Sequence, residues 1–222
     1  MSIRRLVFTV LLLAAPTLAF ADDIRIIGDS LGEGVHMATN LPSPANRFNV
    51  AIYTNFIFQQ LHEMPRGATV FMSLGTNDAV GGAAAMDVKK RVEAIVAAAA
   101  AQGVKLYWMG PPCVLKPWET YSKKLDEILK AQLEGTSVTY VSMQDPSFCE
   151  PSIHAGDGVH FSMAGYSRMW QKAAAAAGLP VVVASASPSH KVAPGKTFHK
   201  RKHKRKRAAP HREAAAAPPA PN

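Results

Sequence analysis

Three short motifs hold the residues of this chain that are best suited to acyl transfer. They are Gly28-Asp29-Ser30-Leu31, Gly75-Thr76-Asn77-Asp78 and Asp157-Gly158-Val159-His160. A serine hydroxyl is a weak nucleophile until a base takes its proton and fixed donors meet the developing oxyanion. His160 can be that base. Asp157, on the same loop, can accept from its Nδ1 and leave Nε2 to face Ser30. Asn77 offers a side-chain N–H to an oxyanion.

Each motif also has a plainer reading. Ser30-Leu31-Gly32-Glu33 fits a capping box, with Ser30 as N-cap and Glu33 reaching back. Gly75 and Asn77 are ordinary residues for a turn after a strand. Asp157 and His160 suit an exposed loop before a helix capped by Ser162. Gly32 and Gly34 sit badly with the first of these, because a helix that only needs a start does not want glycine in its first turn.

The motifs gain force from the elements that position them. Near-continuous apolar runs predict strands over residues 24–28, 48–52, 69–74, 104–109 and 137–143, as in a parallel sheet covered on both faces. Helices are predicted over 87–102, where Val88, Val92, Ile95 and Val96 share a face, over 118–133 with Leu125, Ile128, Leu129 and Leu133, and over 162–177. Gly103 and Gly178 stop the first and last of them. Strands alternating with helices give a doubly wound α/β domain, and ligands of such sheets bind outside the carboxyl ends of the strands. Ser30 follows the first predicted strand, Asn77 the third, and His160 the loop after the fifth. Polar residues far apart in sequence therefore converge on one edge.

Composition divides the chain into three parts. Arg4 and Arg5, an apolar run over 6–14, and Ala19-Phe20-Ala21 read as a secretory signal over residues 1–21. From residue 185 the chain is rich in Pro, Ala, Lys and His, with ten of its 25 Lys and Arg against one acid, Glu213. Such a tail cannot bury enough apolar surface to fold, and disorder is expected over 185–222. Residues 22–184 carry 13 basic and 15 acidic side chains, so the net charge of +9 belongs to the tail and not to the domain. A basic tail can hold anionic envelope polymers or lipids. It lacks the interleaved aromatics that would stack on bases, so no specific nucleic acid is expected. The two cysteines, Cys113 and Cys149, read as a disulfide in an oxidising compartment and as buried free thiols in the cytosol. No metal site, no nucleotide-binding glycine fingerprint and no cofactor are expected, and the domain reads as a monomer.

Taken in order, the three motifs resemble those of the SGNH (GDSL-type) hydrolases, which carry a Gly-Asp-Ser block, a Gly-x-Asn-Asp block and a late Asp-x-x-His block. The resemblance covers most of residues 24–178. It implies a three-layer flavodoxin-like α/β fold with a central five-stranded parallel sheet. It makes Ser30 the nucleophile, His160 the base, Asp157 its orienter, and Asn77 with the Ser30 N–H the oxyanion donors. Gly28, Asp29, Gly75 and Asp78 are then motif residues that shape the turns.

One block departs from the family. A glycine usually follows the second strand and donates its N–H to the oxyanion. Here the stretch reads Ile52-Tyr53-Thr54-Asn55-Phe56, and no glycine occurs between Gly34 and Gly67. Any non-proline residue of the stretch can offer that N–H, so the donor's identity stays open, with Thr54 one candidate; Tyr53 or Thr54 would narrow the pocket relative to glycine. The expectation is an exported, periplasmic or secreted serine esterase acting on short acyl esters, such as acetate on an envelope or extracellular glycan. An O-acetyltransferase of the same fold, or an envelope-binding protein anchored by its tail, are the alternatives.

Overall fold

The computed structural model describes residues 23–44, 49–80, 82 and 87–180. The leader expected over 1–21 and the basic tail expected over 185–222 lie outside the described residues. Among the described residues four strands form one parallel sheet in the order β1-β2-β3-β4: β1 (Ile24–Gly28), β2 (Thr69–Ser73), β3 (Lys105–Met109) and β4 (Thr139–Val141). Gly28 pairs with Ser73 and Ser73 with Met109, so the strands end level and present one shared carboxyl edge.

The sequence predicts a fifth strand over residues 48–52. Phe48 lies outside the described residues, and 49–52 take turn and irregular backbone. Val50 and Ile52 are fully buried, so the apolar signal reflects real burial without a strand. The edge of β1 that such a strand would need is already occupied. Ile26 donates its N–H to Pro42 O at 2.9 Å. Gly28 donates to Gln60 Oε1 at 2.7 Å and accepts from Gln60 Nε2 at 3.1 Å. One side-chain amide thus satisfies both backbone groups of Gly28.

Among the described residues six α-helices flank the sheet: α1 (Ser30–Thr39), α2 (Phe56–His62), α3 (Thr76–Val80), α4 (Lys89–Gln102), α5 (Glu119–Leu133) and α6 (Met163–Ala176). Successive strand residues point to opposite faces, and this alternation sorts the core in two. Ile27, Val70, Met72, Leu106 and Trp108 pack with Ile57 and Leu61 of α2, Val92 and Ile95 of α4, and Leu125 and Leu129 of α5. Ile26, Phe71, Tyr107, Met109 and Val141 pack with Leu31 and Val35 of α1 and with Tyr166, Met169 and Ala173 of α6. The result is three layers. Each fully buried Ile, Leu or Phe side chain contributes about 1.5–3 kcal/mol, so both faces are held by burial. Where α1 crosses α6, Gly34 lies against the ring of Tyr166, and a Cβ there would fall 2.0 Å from that ring.

Candidate active site

Ser30 is the first residue of α1 and not its cap. The N-cap is Asp29, whose Oδ1 accepts from Leu31 N at 3.0 Å and Gly32 N at 3.4 Å. The capping-box reading of Ser30 therefore does not hold. The Asp29 carboxylate is held from β2 as well, by Ser73 Oγ at 2.9 Å. Gly28 makes this junction possible. Its φ is 115°, and a Cβ would lie 1.9 Å from Ser73 O. As the first helical residue, Ser30 keeps an N–H with no intrahelical acceptor.

Burial raises the carboxyl of Asp29 to about 6, outweighing the bonds from Ser73, Leu31 and Gly32 that favour its charged form. Its Oδ2 has no partner among the described residues.

Ser30 Oγ lies 2.9 Å from His160 Nε2, across 130 residues of sequence. Nδ1 of the same ring is 2.6 Å from Asp157 Oδ2. A carboxylate accepts and cannot donate, so this contact places the ring proton on Nδ1 and leaves the Nε2 lone pair for the serine hydroxyl. Asp157 also accepts at Oδ1 from the N–H groups of Val159 and His160, each at 2.9 Å. The bond to His160, followed by that to Val159, holds its carboxyl well below the ordinary carboxylate range. The pair is open to solvent, at 40% and 50% side-chain exposure for His160 and Asp157. An ester can therefore reach it from outside.

The loop that carries this pair is stapled at several points. His154 and Phe161 form an antiparallel bridge, with Ala155 N donating to His160 O at 2.8 Å and Ser162 N to Ile153 O at 2.8 Å. Leu115 N donates to Gly158 O at 2.7 Å, tying the loop to the segment after β3. Cys113 and Cys149 form a disulfide, Cα to Cα 5.2 Å, between that segment and the start of the loop.

Asn77 is exposed on α3, and its Nδ2 donates to Val50 O at 2.9 Å. An amide NH₂ has two donors, so one N–H remains beyond that bond. Asp78, beside it, is buried and accepts from Ile52 N at 2.9 Å and from Tyr53 N. Burial, set against these backbone bonds, raises its carboxyl above the ordinary value. Gly75, with φ at 120°, turns the chain from β2 into α3.

Thr54 does not offer the free N–H expected of it. That group donates to Ala51 O at 3.1 Å, and the side-chain Oγ1 bonds Ala51 as well, so the residue is closed in its own turn.

Two contributors are not visible in the sequence. Gln60 sits in a helix that local pattern does not reveal. Arg91 looks in sequence like any charged residue on the outer face of α4. Its Nε donates to Ile52 O at 2.8 Å and its Nη2 to Thr54 O at 2.6 Å, while its guanidinium stacks 4.8 Å from the Phe58 ring.

Residues 26–168 match the model of the GDSL-like Lipase/Acylhydrolase family, well over half of the chain. The chain belongs to the GDSL-like lipase/acylhydrolase family. As a GDSL-type hydrolase it acts on ester bonds. No curated protein matches it in sequence. Solved structures with the same fold include a member of the lipolytic protein G-D-S-L family from Veillonella parvula, at 18% identity and a TM-score of 0.55, covering 69% of this chain and 96% of the other. An acetyl-xylooligosaccharide esterase from Geobacillus stearmophilus aligns at 15% identity and a TM-score of 0.52, over 72% and 95% of the two chains. The acetyl xylan esterase AlAXEase aligns at 13% identity and a TM-score of 0.51, over 67% and 96%. At such identities the likeness of these GDSL-type folds is one of architecture.

Proposed function

We propose that this GDSL-type hydrolase is an exported serine esterase that removes short acyl groups, acetate above all, from an envelope or extracellular glycan. The observation that carries the reading is the continuous hydrogen-bonded line from Ser30 Oγ through His160 to Asp157. In it Ser30 is the nucleophile, His160 the base and Asp157 its orienter. The Ser30 N–H and the remaining N–H of Asn77 Nδ2 receive the oxyanion.

The reaction then follows in two halves. Ser30 Oγ forms a bond to the ester carbonyl carbon as His160 Nε2 takes its proton. The tetrahedral oxyanion collapses, the bond to the alcohol oxygen breaks, and His160 returns the proton to that oxygen. Water repeats the sequence on the acyl-serine and releases the acid.

A short acyl group on a sugar suits the open setting of His160 and Asp157. It also suits the activities in the names of two structural neighbours, an acetyl-xylooligosaccharide esterase and an acetyl xylan esterase. Export is supported by the Cys113–Cys149 disulfide and by the leader read in residues 1–21. The test compares wild type with Ser30→Ala on p-nitrophenyl acetate and on acetylated xylo-oligosaccharide. Equal rates for the two proteins on both substrates would sink the reading.

A further inference from the structure

The block that lacks its glycine is held by tethers from α3, α4 and its own turn, and these take up most of its polar backbone groups. Val50 O accepts from Asn77 Nδ2 at 2.9 Å. Ile52 N and Tyr53 N both go to the Asp78 carboxylate. Ile52 O and Thr54 O go to Arg91, at 2.8 and 2.6 Å, and Thr54 N goes to Ala51 O at 3.1 Å.

The Asn55 side chain turns toward the same arginine, Oδ1 lying 3.5 Å from both Nη1 and Nη2. From Ile52 through Asn55 one backbone N–H is left over. It is that of Asn55, which has no acceptor among the described residues. Asn55 is the N-cap of α2, where a free N–H points away from the helix body.

The position of this leftover donor follows from α2. Gln60, the fifth residue of α2, holds both backbone groups of Gly28, two residues before Ser30. The other side of the loop rests on Asn77 and Asp78, which follow β2, the neighbour of β1 in the sheet. The segment that ends in Asn55 is thus tied on one side to the Ser30 turn, through Gln60, and on the other to α3.

We infer that Arg91 is a positioning residue of the oxyanion hole, clamping residues 52–55 from α4 so that the Asn55 N–H supplies the donor that a glycine supplies elsewhere in the family. This rests on the serine-esterase reading above. A planar guanidinium suits the task, since it donates from several fixed directions at once and can meet Ile52 O, Thr54 O and Asn55 Oδ1 together. Glycine owes its usefulness in such a loop to conformational freedom and small size. Here a clamp fixes the backbone instead, and side chains at 53, 54 and 55 become tolerable.

The test uses the full chain. Wild type, Ser30→Ala, Arg91→Gln and Arg91→Lys are assayed on p-nitrophenyl acetate. Wild type and Arg91→Gln, ¹⁵N-labelled, are also titrated with phenylboronic acid. In that adduct Ser30 Oγ bonds to boron and its proton passes to His160, giving a tetrahedral anion with no leaving group. Loss or misplacement of one oxyanion donor lowers rates by about 10²- to 10³-fold when complete. Partial displacement is therefore expected to cost Arg91→Gln about 10- to 100-fold in kcat with KM within about twofold. Arg91→Lys should recover part of that loss.

In the wild-type adduct the Asn55 amide proton should move downfield, and in Arg91→Gln it should not. Arg91→Gln within about twofold of wild-type kcat, or an unmoved Asn55 amide in the wild-type adduct, overturns the inference. If neither Arg91 variant folds, the wild-type Asn55 signal decides alone. Wild type no faster than Ser30→Ala removes the esterase reading and the clamp with it, whereas an active wild type with silent Arg91 variants removes only the clamp.

Discussion

Ser73 Oγ donates to Asp29 Oδ1 at 2.9 Å, joining the end of β2 to the residue that caps α1 just before Ser30. The bond holds a carboxylate in a place where its charge is costly. Burial lifts the Asp29 carboxyl to about 6, so the folded state binds this proton more tightly than the unfolded chain does. Its contribution to stability is full below the unfolded value, near pH 4, and is lost as pH rises through about 6. A rise of that size corresponds to about 3 kcal/mol. Asp29→Asn keeps an acceptor for Leu31, Gly32 and Ser73 and has no charge to bury. It should be more stable than wild type at pH 7.5 by up to that amount, with the difference shrinking at pH 4.5. Urea unfolding at the two pH values checks this, and a difference independent of pH would refute it.

Asp157 and Asn77 separate two contributions to rate. Asp157→Asn can still contact His160 but no longer fixes the proton on Nδ1, and kcat should fall on the order of 10³- to 10⁴-fold. Asn77→Ala removes a donor and should cost about 10²- to 10³-fold in kcat with little change in KM. Steady-state kinetics on p-nitrophenyl acetate would show both, and near-wild-type rates for either variant would strike that residue from the proposal.

Gln60→Leu tests the backbone of the Ser30 turn. The substitution leaves the Gly28 N–H and C=O without the partners they have at 2.7 and 3.1 Å. Each unmade bond in such a buried place costs about 1–3 kcal/mol. The loss should therefore reach several kcal/mol in chemical denaturation, and a variant as stable as wild type would contradict it.

The disulfide can be tested by removal. Cys113 and Cys149 are separated by 36 residues, and closing a loop of that size stabilises a fold by about 4 kcal/mol in the chain-entropy model. Cys113→Ser/Cys149→Ser should lower the urea midpoint accordingly. Denatured, unreduced wild type should show no free thiols on titration, and two would exclude the bridge.

Much of this architecture can be read from local pattern, because local burial makes the pattern. Ile26 and Ile27, or Phe71 and Met72, point to opposite layers that are both dry, so the strands are apolar throughout. Residues 48–52 show where such reading ends. Val50 and Ile52 are as buried as strand residues, yet Val50 O pairs with Asn77, Ile52 N with Asp78 and Ile52 O with Arg91, 27, 26 and 39 residues away. No periodicity encodes that choice. The same holds for the start of α1. Asp29 and Ser30 are both good caps, and partners at Ser73 and His160 decide between them. Arg91 is hidden for a different reason: an arginine on a helix is ordinarily a solvated side chain, and only the arriving loop makes it a tether.

The edge of β1 has a consequence for life at high concentration. A bare outer strand offers its N–H and C=O groups to any second chain in extended form, which is how sheets add strands and how folded proteins come to aggregate. Here Pro42 takes the N–H of Ile26, and the amide of Gln60 imitates a passing peptide at Gly28. At these positions a neighbour finds the hydrogen bonds already made.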